Sequence, residues 1–151
     1  MDTTALARSL LEPIPANRTA GVEVLRAADG AAEVAATVPA ALTNVIGSLH
    51  ASGLAALADA AGLAAVIAAC TGPSDFTGVV PLGASATLRF LAPARGRLTA
   101  TCVLDAAARA ALAELFASRT DRARLTTTAV ITDESGTTVC EGTFDWRVRR
   151  T

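Results

Sequence analysis

Asp59 is the residue whose surroundings are hardest to reconcile with an idle side chain. It interrupts residues 51–69, where everything else except Ser52 is Ala, Leu, Gly, Val or Ile. If this run is helical, the neighbours of Asp59 on its own face are Ala55, Ala56, Gly62 and Leu63, none of which can pair with a charge. A buried, unpaired carboxylate is strongly disfavoured and its pKa rises. Asp59 must therefore meet a partner, a water-filled pocket or another chain. The structural alternative is a carboxylate bonded to the backbone of a neighbouring strand. The functional alternative is a general base or nucleophile in a cleft. A polar lead-in precedes the run and holds Asn44, Gly47, Ser48 and His50. With residues 50–59 all helical, His50 and Asp59 would lie roughly 13 Å apart along the axis. They cannot meet within one chain, so joining them at one reaction centre requires a second copy.

The element that carries Asp59 reads as a central helix over residues 50–70. Ala and Leu are strong helix formers, and the run is too long for a strand. Ser48 is the expected N-cap, and Cys70-Thr71-Gly72-Pro73 the stop. A helix apolar nearly all round should be buried, wrapped by a sheet. Its length also fits a membrane span, but Asp near the centre is costly, Ala and Gly are weakly hydrophobic, and no Lys or Arg cluster flanks it.

The remaining segments supply the sheet. A short N-terminal helix is expected within residues 1–15, ended by Pro13 and Pro15. Residues 19–38 read as a hairpin turning at Ala28-Asp29-Gly30. Strands follow at 79–91 and 97–104, then an inserted helix at 106–118 capped by Asp105. A second hairpin, 122–132 and 137–148, turns at Asp133-Glu134-Ser135-Gly136. The expectation is one α+β domain over residues 1–151, with about six antiparallel strands wrapped around one long helix: a hotdog fold.

Composition narrows the functional classes. Apolar residues make up 52% of the 151, enough for a core, and aromatic residues only 3%. A formal charge of -1 gives no electrostatic footprint for nucleic acid. Arg147, Arg149 and Arg150 make the C-terminus basic. A solvated tail is the preferred reading there, ahead of a contact to a phosphorylated ligand. Cys70, Cys102 and Cys140 are odd in number and widely spaced, which suits buried free thiols better than a metal site or disulfides. The N-terminus has no basic start followed by an apolar core, so a cytoplasmic protein is expected.

The stretch Asn44-Val-Ile-Gly47-Ser-Leu-His50 … Leu57-Ala58-Asp59-Ala-Ala61 resembles the signature of hotdog acyl-thioesterases of the phenylacetate-pathway (PaaI) type. That signature runs Asn, Gly, His-Gly-Gly, then Leu-Ala-Asp-x-Ala, and the spacing from Asn44 to His50 to Asp59 agrees. Leu88-Arg-Phe90-Leu-Ala-Pro93-Ala94 looks like the family's strand ending in a Pro-Ala bend. The resemblance implies a thioesterase acting on acyl-CoA or an acyl-carrier-protein thioester, as a homodimer or tetramer, with no cofactor beyond the coenzyme A of the substrate, no metal, and neither nucleic acid nor membrane as partner. It implies Asp59, Asn44 and His50 as catalytic candidates. Gly47, Ala51, Ser52 and Gly53 would contact substrate, the helix N-terminal amides serving as oxyanion donors. Two departures stand out. Ala51-Ser52 replaces the family's Gly-Gly, and Gly83 falls near the position of a water-orienting Ser or Thr, with Thr77 and Ser85 as the nearest substitutes. A non-catalytic acyl-binding protein and a hotdog hydratase or dehydratase are the alternatives.

Overall fold

The computed structural model describes all 151 residues. In chain order the elements are α1 (Thr3–Leu11), α2 (Pro15–Ala20), β1 (Glu23–Ala28), β2 (Ala31–Thr37), a short 3-10 turn (Ala40–Leu42), α3 (Ala51–Ile67), β3 (Val79–Phe90), β4 (Arg97–Val103), α4 (Ala106–Phe116), β5 (Arg122–Thr132) and β6 (Thr138–Arg150). All six strands form one antiparallel sheet in the order β1-β2-β4-β5-β6-β3. This is the expected α+β hotdog architecture, with α3 packed over β1, β2, β4, β5 and β6.

Several boundaries differ from those expected. Asn17 to Ala20 belong to a second helix, because Pro15 sits in its first turn, where proline is tolerated. α3 ends at Ile67 rather than residue 70, and α4 at Phe116 rather than 118. The N-cap of α3 is not Ser48 but His50, whose Nδ1 accepts from the Ser52 amide at 3.1 Å. Ser48 is buried instead, and its hydroxyl accepts from the Ala94 amide at 2.9 Å. Arg147, Arg149 and Arg150 are not a solvated tail. They lie within β6, which pairs with β3 on one side and β5 on the other.

Small residues set how closely α3 sits on the sheet. A Cβ on Gly142 of β6 would fall 2.5 Å from the Ala58 Cβ, and one on Gly62 would meet the Thr127 hydroxyl at 2.6 Å. Buried residues cover most of α3, including Leu54, Leu57, Ala58, Ala61, Ala65 and Val66. What remains is one half-covered stripe, Ala55, Ala56, Asp59 and Leu63.

β3 stands apart from the other strands. It is 12 residues long, forms one edge of the sheet, and is mostly exposed. A bulge between Gly83 and Ser85 shifts its alternation, so Val80, Leu82, Ser85, Thr87 and Arg89 share the outer face with β6 residues Arg149, Arg147, Asp145, Thr143 and Glu141. Ala86, Leu88 and Phe90 lie on the side of α3, opposite Phe144, Gly142 and Cys140. Leu82 and Phe90 are 55% and 58% exposed, with no layer over them.

Candidate active site

The loop before α3 is built by Asn44. Its Oδ1 accepts from the amides of Ile46 and Ser48 at 3.1 and 3.0 Å, and its own amide donates to the Ser48 carbonyl. Gly47 makes this turn possible at φ +71, a conformation costly for other residues. The loop is fastened to the bend after β3 by the Leu49 amide, which donates to the Ala94 carbonyl at 2.8 Å, and by Arg95, which donates to the Ile46 carbonyl.

Of the α3 N-terminal amides, one is free. Ser52 N–H donates to the His50 ring, and Gly53 N–H to the His50 carbonyl at 2.9 Å. Ala51 N–H has no partner within the chain. Ala51 is one of the residues that line a groove of about 390 Å³, with Asn44, Ser48, Leu54, Phe90 and Leu91 among the others. Gly53 is required for packing: a Cβ there would lie 2.5 Å from Leu49 Cδ1. Ala51 and Ser52, which replace the glycine pair, have exposed side chains.

Asp59 takes no hydrogen bond and no ion pair, and burial alone pushes its pKa up to about 6. The expected structural alternative, a carboxylate bonded to neighbouring backbone, is thus not what forms. Asp59 is outside the groove, two turns of helix further along. Within one protomer the groove and the carboxylate stay apart. His50 is exposed, and its Nδ1 also lies 2.8 Å from the Ser52 hydroxyl. Ser85 faces away from α3 and donates to Asp145 on the outer face. Thr77 sits in the turn before β3, where its carbonyl accepts from Arg150. On the inner face of β3 there is no hydroxyl.

A second cleft, about 470 Å³, lies at the other end of α3 beside α4, lined in part by Cys70, Asp75, Arg109 and Phe116. Its groups are committed. Asp75 accepts from Thr71 and Gly72, and the Cys70 thiol is pushed up to about 12, chiefly by burial. The three cysteines are all free and buried. No group of three His, Cys, Asp or Glu side chains comes together. No helix is long and apolar enough to cross a membrane.

Sequence reasoning missed that only one amide is free, because the use of the His50 ring as a cap is not written in helix propensity. It also missed Phe90 and Leu91 as groove walls, which a strand reading alone does not place beside the start of α3.

The chain matches, over residues 3–148, the family model described as a domain of unknown function (DUF4442), and belongs to that family. No functionally curated protein matches it. Among solved structures it is similar to a protein of unknown function from Pseudomonas aeruginosa described as a probable thioesterase, with 29% identity, 98% of this chain and 96% of that one covered, and a TM-score of 0.77. It is similar to the PaaI protein of the Escherichia coli phenylacetic acid degradation operon, with 20% identity, 95% and 93% coverage, and a TM-score of 0.66. A hypothetical thioesterase from Streptococcus pneumoniae, solved with coenzyme A, matches at 20% identity, 86% and 88% coverage, and a TM-score of 0.62. The fold is that of the hotdog thioesterase superfamily.

Proposed function

We propose that the protein hydrolyses acyl thioesters at a site shared by two copies of the chain. The observation that carries this reading is the half-buried Asp59 carboxylate, which nothing in its own protomer satisfies. Two further features support it. The long, uncovered β3 edge offers a row of unpaired backbone groups for a second β3, and such edges rarely stay open. The free Ala51 amide lies at a helix N-terminus, where partial positive charge favours a developing oxyanion.

In the proposed reaction the acyl group lies in the groove of one protomer, its carbonyl oxygen at Ala51 N–H. Asp59 of the other takes a proton from water as the water oxygen attacks the carbonyl carbon. The tetrahedral intermediate collapses, the carbon–sulfur bond breaks, and the thiolate leaves and is protonated to the thiol. Asp59 could equally attack the carbonyl itself, forming an anhydride that water then opens. Asn44 and His50 act as positioning residues, holding the loop and the helix start that aim the amide.

A spectrophotometric screen of acyl-CoAs, following free thiol, tests the reading. Turnover by the wild type, lost on Asp59→Ala with the dimer retained, is the expected result. Turnover retained by Asp59→Ala overturns it. Binding without thiol release favours an acyl-binding protein, for which Ala51-Ser52 in place of the glycine pair is the supporting observation. A change in enoyl absorbance would mark a hydratase.

A further inference from the structure

The outer face of the sheet carries a feature that the hydrolytic site does not use. β5 and β6 each present two arginines to this face, and the register sets them directly opposite: Arg122 against Arg149, and Arg124 against Arg147. All four are exposed. Side chains directly opposite on one face of an antiparallel pair lie about 5 Å apart at Cβ, where like charges are destabilising. Arg122 reaches Asp121 at 3.8 Å, a pair open to solvent, and the other three have no carboxylate within ion-pair distance. The nearest acid in the next row, Asp145, already accepts from Ser85 and Thr126, each at 2.7 Å. In a chain of formal charge -1, four opposed guanidiniums on one open face form a local excess without an internal counterpart.

We propose that this lattice docks the acidic surface of a protein partner and that, given the thioesterase reading on which this identity rests, the partner is the protein carrying the acyl thioester. A second copy seated face to face would set arginine against arginine. A small anion would find only a hollow of about 60 Å³ between the four arginines. The larger hollow of about 420 Å³ beside it, which Arg124 and Arg147 also line, holds the Asp145 carboxylate. The β5 and β6 amides are engaged in the ladder, and single exposed ion pairs are worth little and are screened by salt. An acidic helix fits better. Its carboxylates one turn apart are spaced about 5–6 Å, close to the roughly 7 Å between successive outward residues of a strand. Val80 and Leu82 continue the two arginine rows onto β3, opposite Arg149 and Arg147, and give the face an apolar flank. Arginine beside apolar contact is the composition of protein interfaces.

The test compares wild type, the double variant Arg124→Glu/Arg147→Glu, and Arg26→Glu, an exposed change on β1, as control. Calorimetry measures binding of a phosphopantetheinylated acyl carrier protein without an acyl group, at low and high salt. Kinetics measure KM for whichever acyl-CoA the wild type hydrolyses. The expected result is salt-sensitive binding, weakened about tenfold or more in the double variant, with the control and the acyl-CoA KM unchanged. The reversal keeps one like-charge pair but sets it beside the oppositely charged Arg122 and Arg149. The double variant should therefore melt close to wild type, and thermal denaturation run beside the calorimetry separates lost binding from lost folding. Absence of carrier-protein binding, or binding indifferent to the reversal, overturns the proposal. A raised acyl-CoA KM with carrier-protein binding intact also overturns it, in favour of the phosphates of coenzyme A. Charge-dependent binding by a protein that hydrolyses no thioester would sink the hydrolase and leave the docking face standing.

Discussion

Gly142 lies under Ala58 with no room for a methyl group: a Cβ on the glycine would come within 2.5 Å of the alanine Cβ. That contact seats α3 directly on the β6 backbone, one residue before Asp59. An alanine side chain has no flexible end to move aside, so Gly142→Ala must lift the helix. The expected cost is about 1–3 kcal/mol of stability, the usual range for overpacking. Thiol release should fall as well, because the carboxylate moves with its helix. Urea denaturation and an acyl-CoA assay check both.

Ala51→Pro isolates the one free amide. Position 51 is the first helical residue, where proline is tolerated, and His50 before it is already extended at φ -58 and ψ 149. The fold should survive while the donor disappears, lowering kcat by about 10²-fold or more. Mixing this variant with Asp59→Ala, after unfolding and refolding together, should restore activity, since each mixed dimer rebuilds one intact site. No recovery would place both groups in the same protomer's site.

Asp59 links activity to pH. Burial holds its pKa near 6, above the ordinary 3.8, so the folded protein binds that proton more tightly than the unfolded chain does. Below about pH 4 both states are protonated and burial carries no charge penalty. The penalty develops as pH rises from about 4 to about 6 and is complete above that. Asp59→Asn should therefore be more stable than wild type at pH 8 and equal at pH 4, by thermal denaturation. As a general base the carboxylate must be ionised, so kcat/KM of the wild type should climb with a midpoint near pH 6.

His50 acts through the cap it forms. His50→Ala should cost about 1 kcal/mol of stability, the usual loss of an N-cap, and raise KM as the groove loosens. Asn can accept from the Ser52 amide in its place, so His50→Asn should recover both. If Asn restores stability without activity, the imidazole has a chemical role of its own.

The sheet, the central helix and the unpaired state of Asp59 were legible because their signals are local. An Ala- and Leu-rich run specifies a helix, alternation specifies strands, and a carboxylate without a possible helical partner is visible in one dimension. The cap at His50 was not legible, since Ser48 has the better propensity and only the tertiary bond to Ala94 removes it. Arg149 and Arg150 looked like a tail because the closing strand was expected to end at residue 148, and its continued pairing with β3 and β5 is a property of the folded sheet. The pattern Arg-x-Arg in both 122–124 and 147–149 carried the outward periodicity, but the register that sets the pairs opposite is a property of the folded sheet.

The strand order has a consequence for biosynthesis. β3 pairs only with β6, and the two are separated in sequence by β4, α4 and β5. On the ribosome, α3 and β3 therefore emerge well before the strand that holds β3 in place. Non-local pairing of this kind is slow and leaves apolar surface waiting. A second copy that joins through that edge, as proposed, must wait until β6 of each chain has emerged, which disfavours pairing before that point.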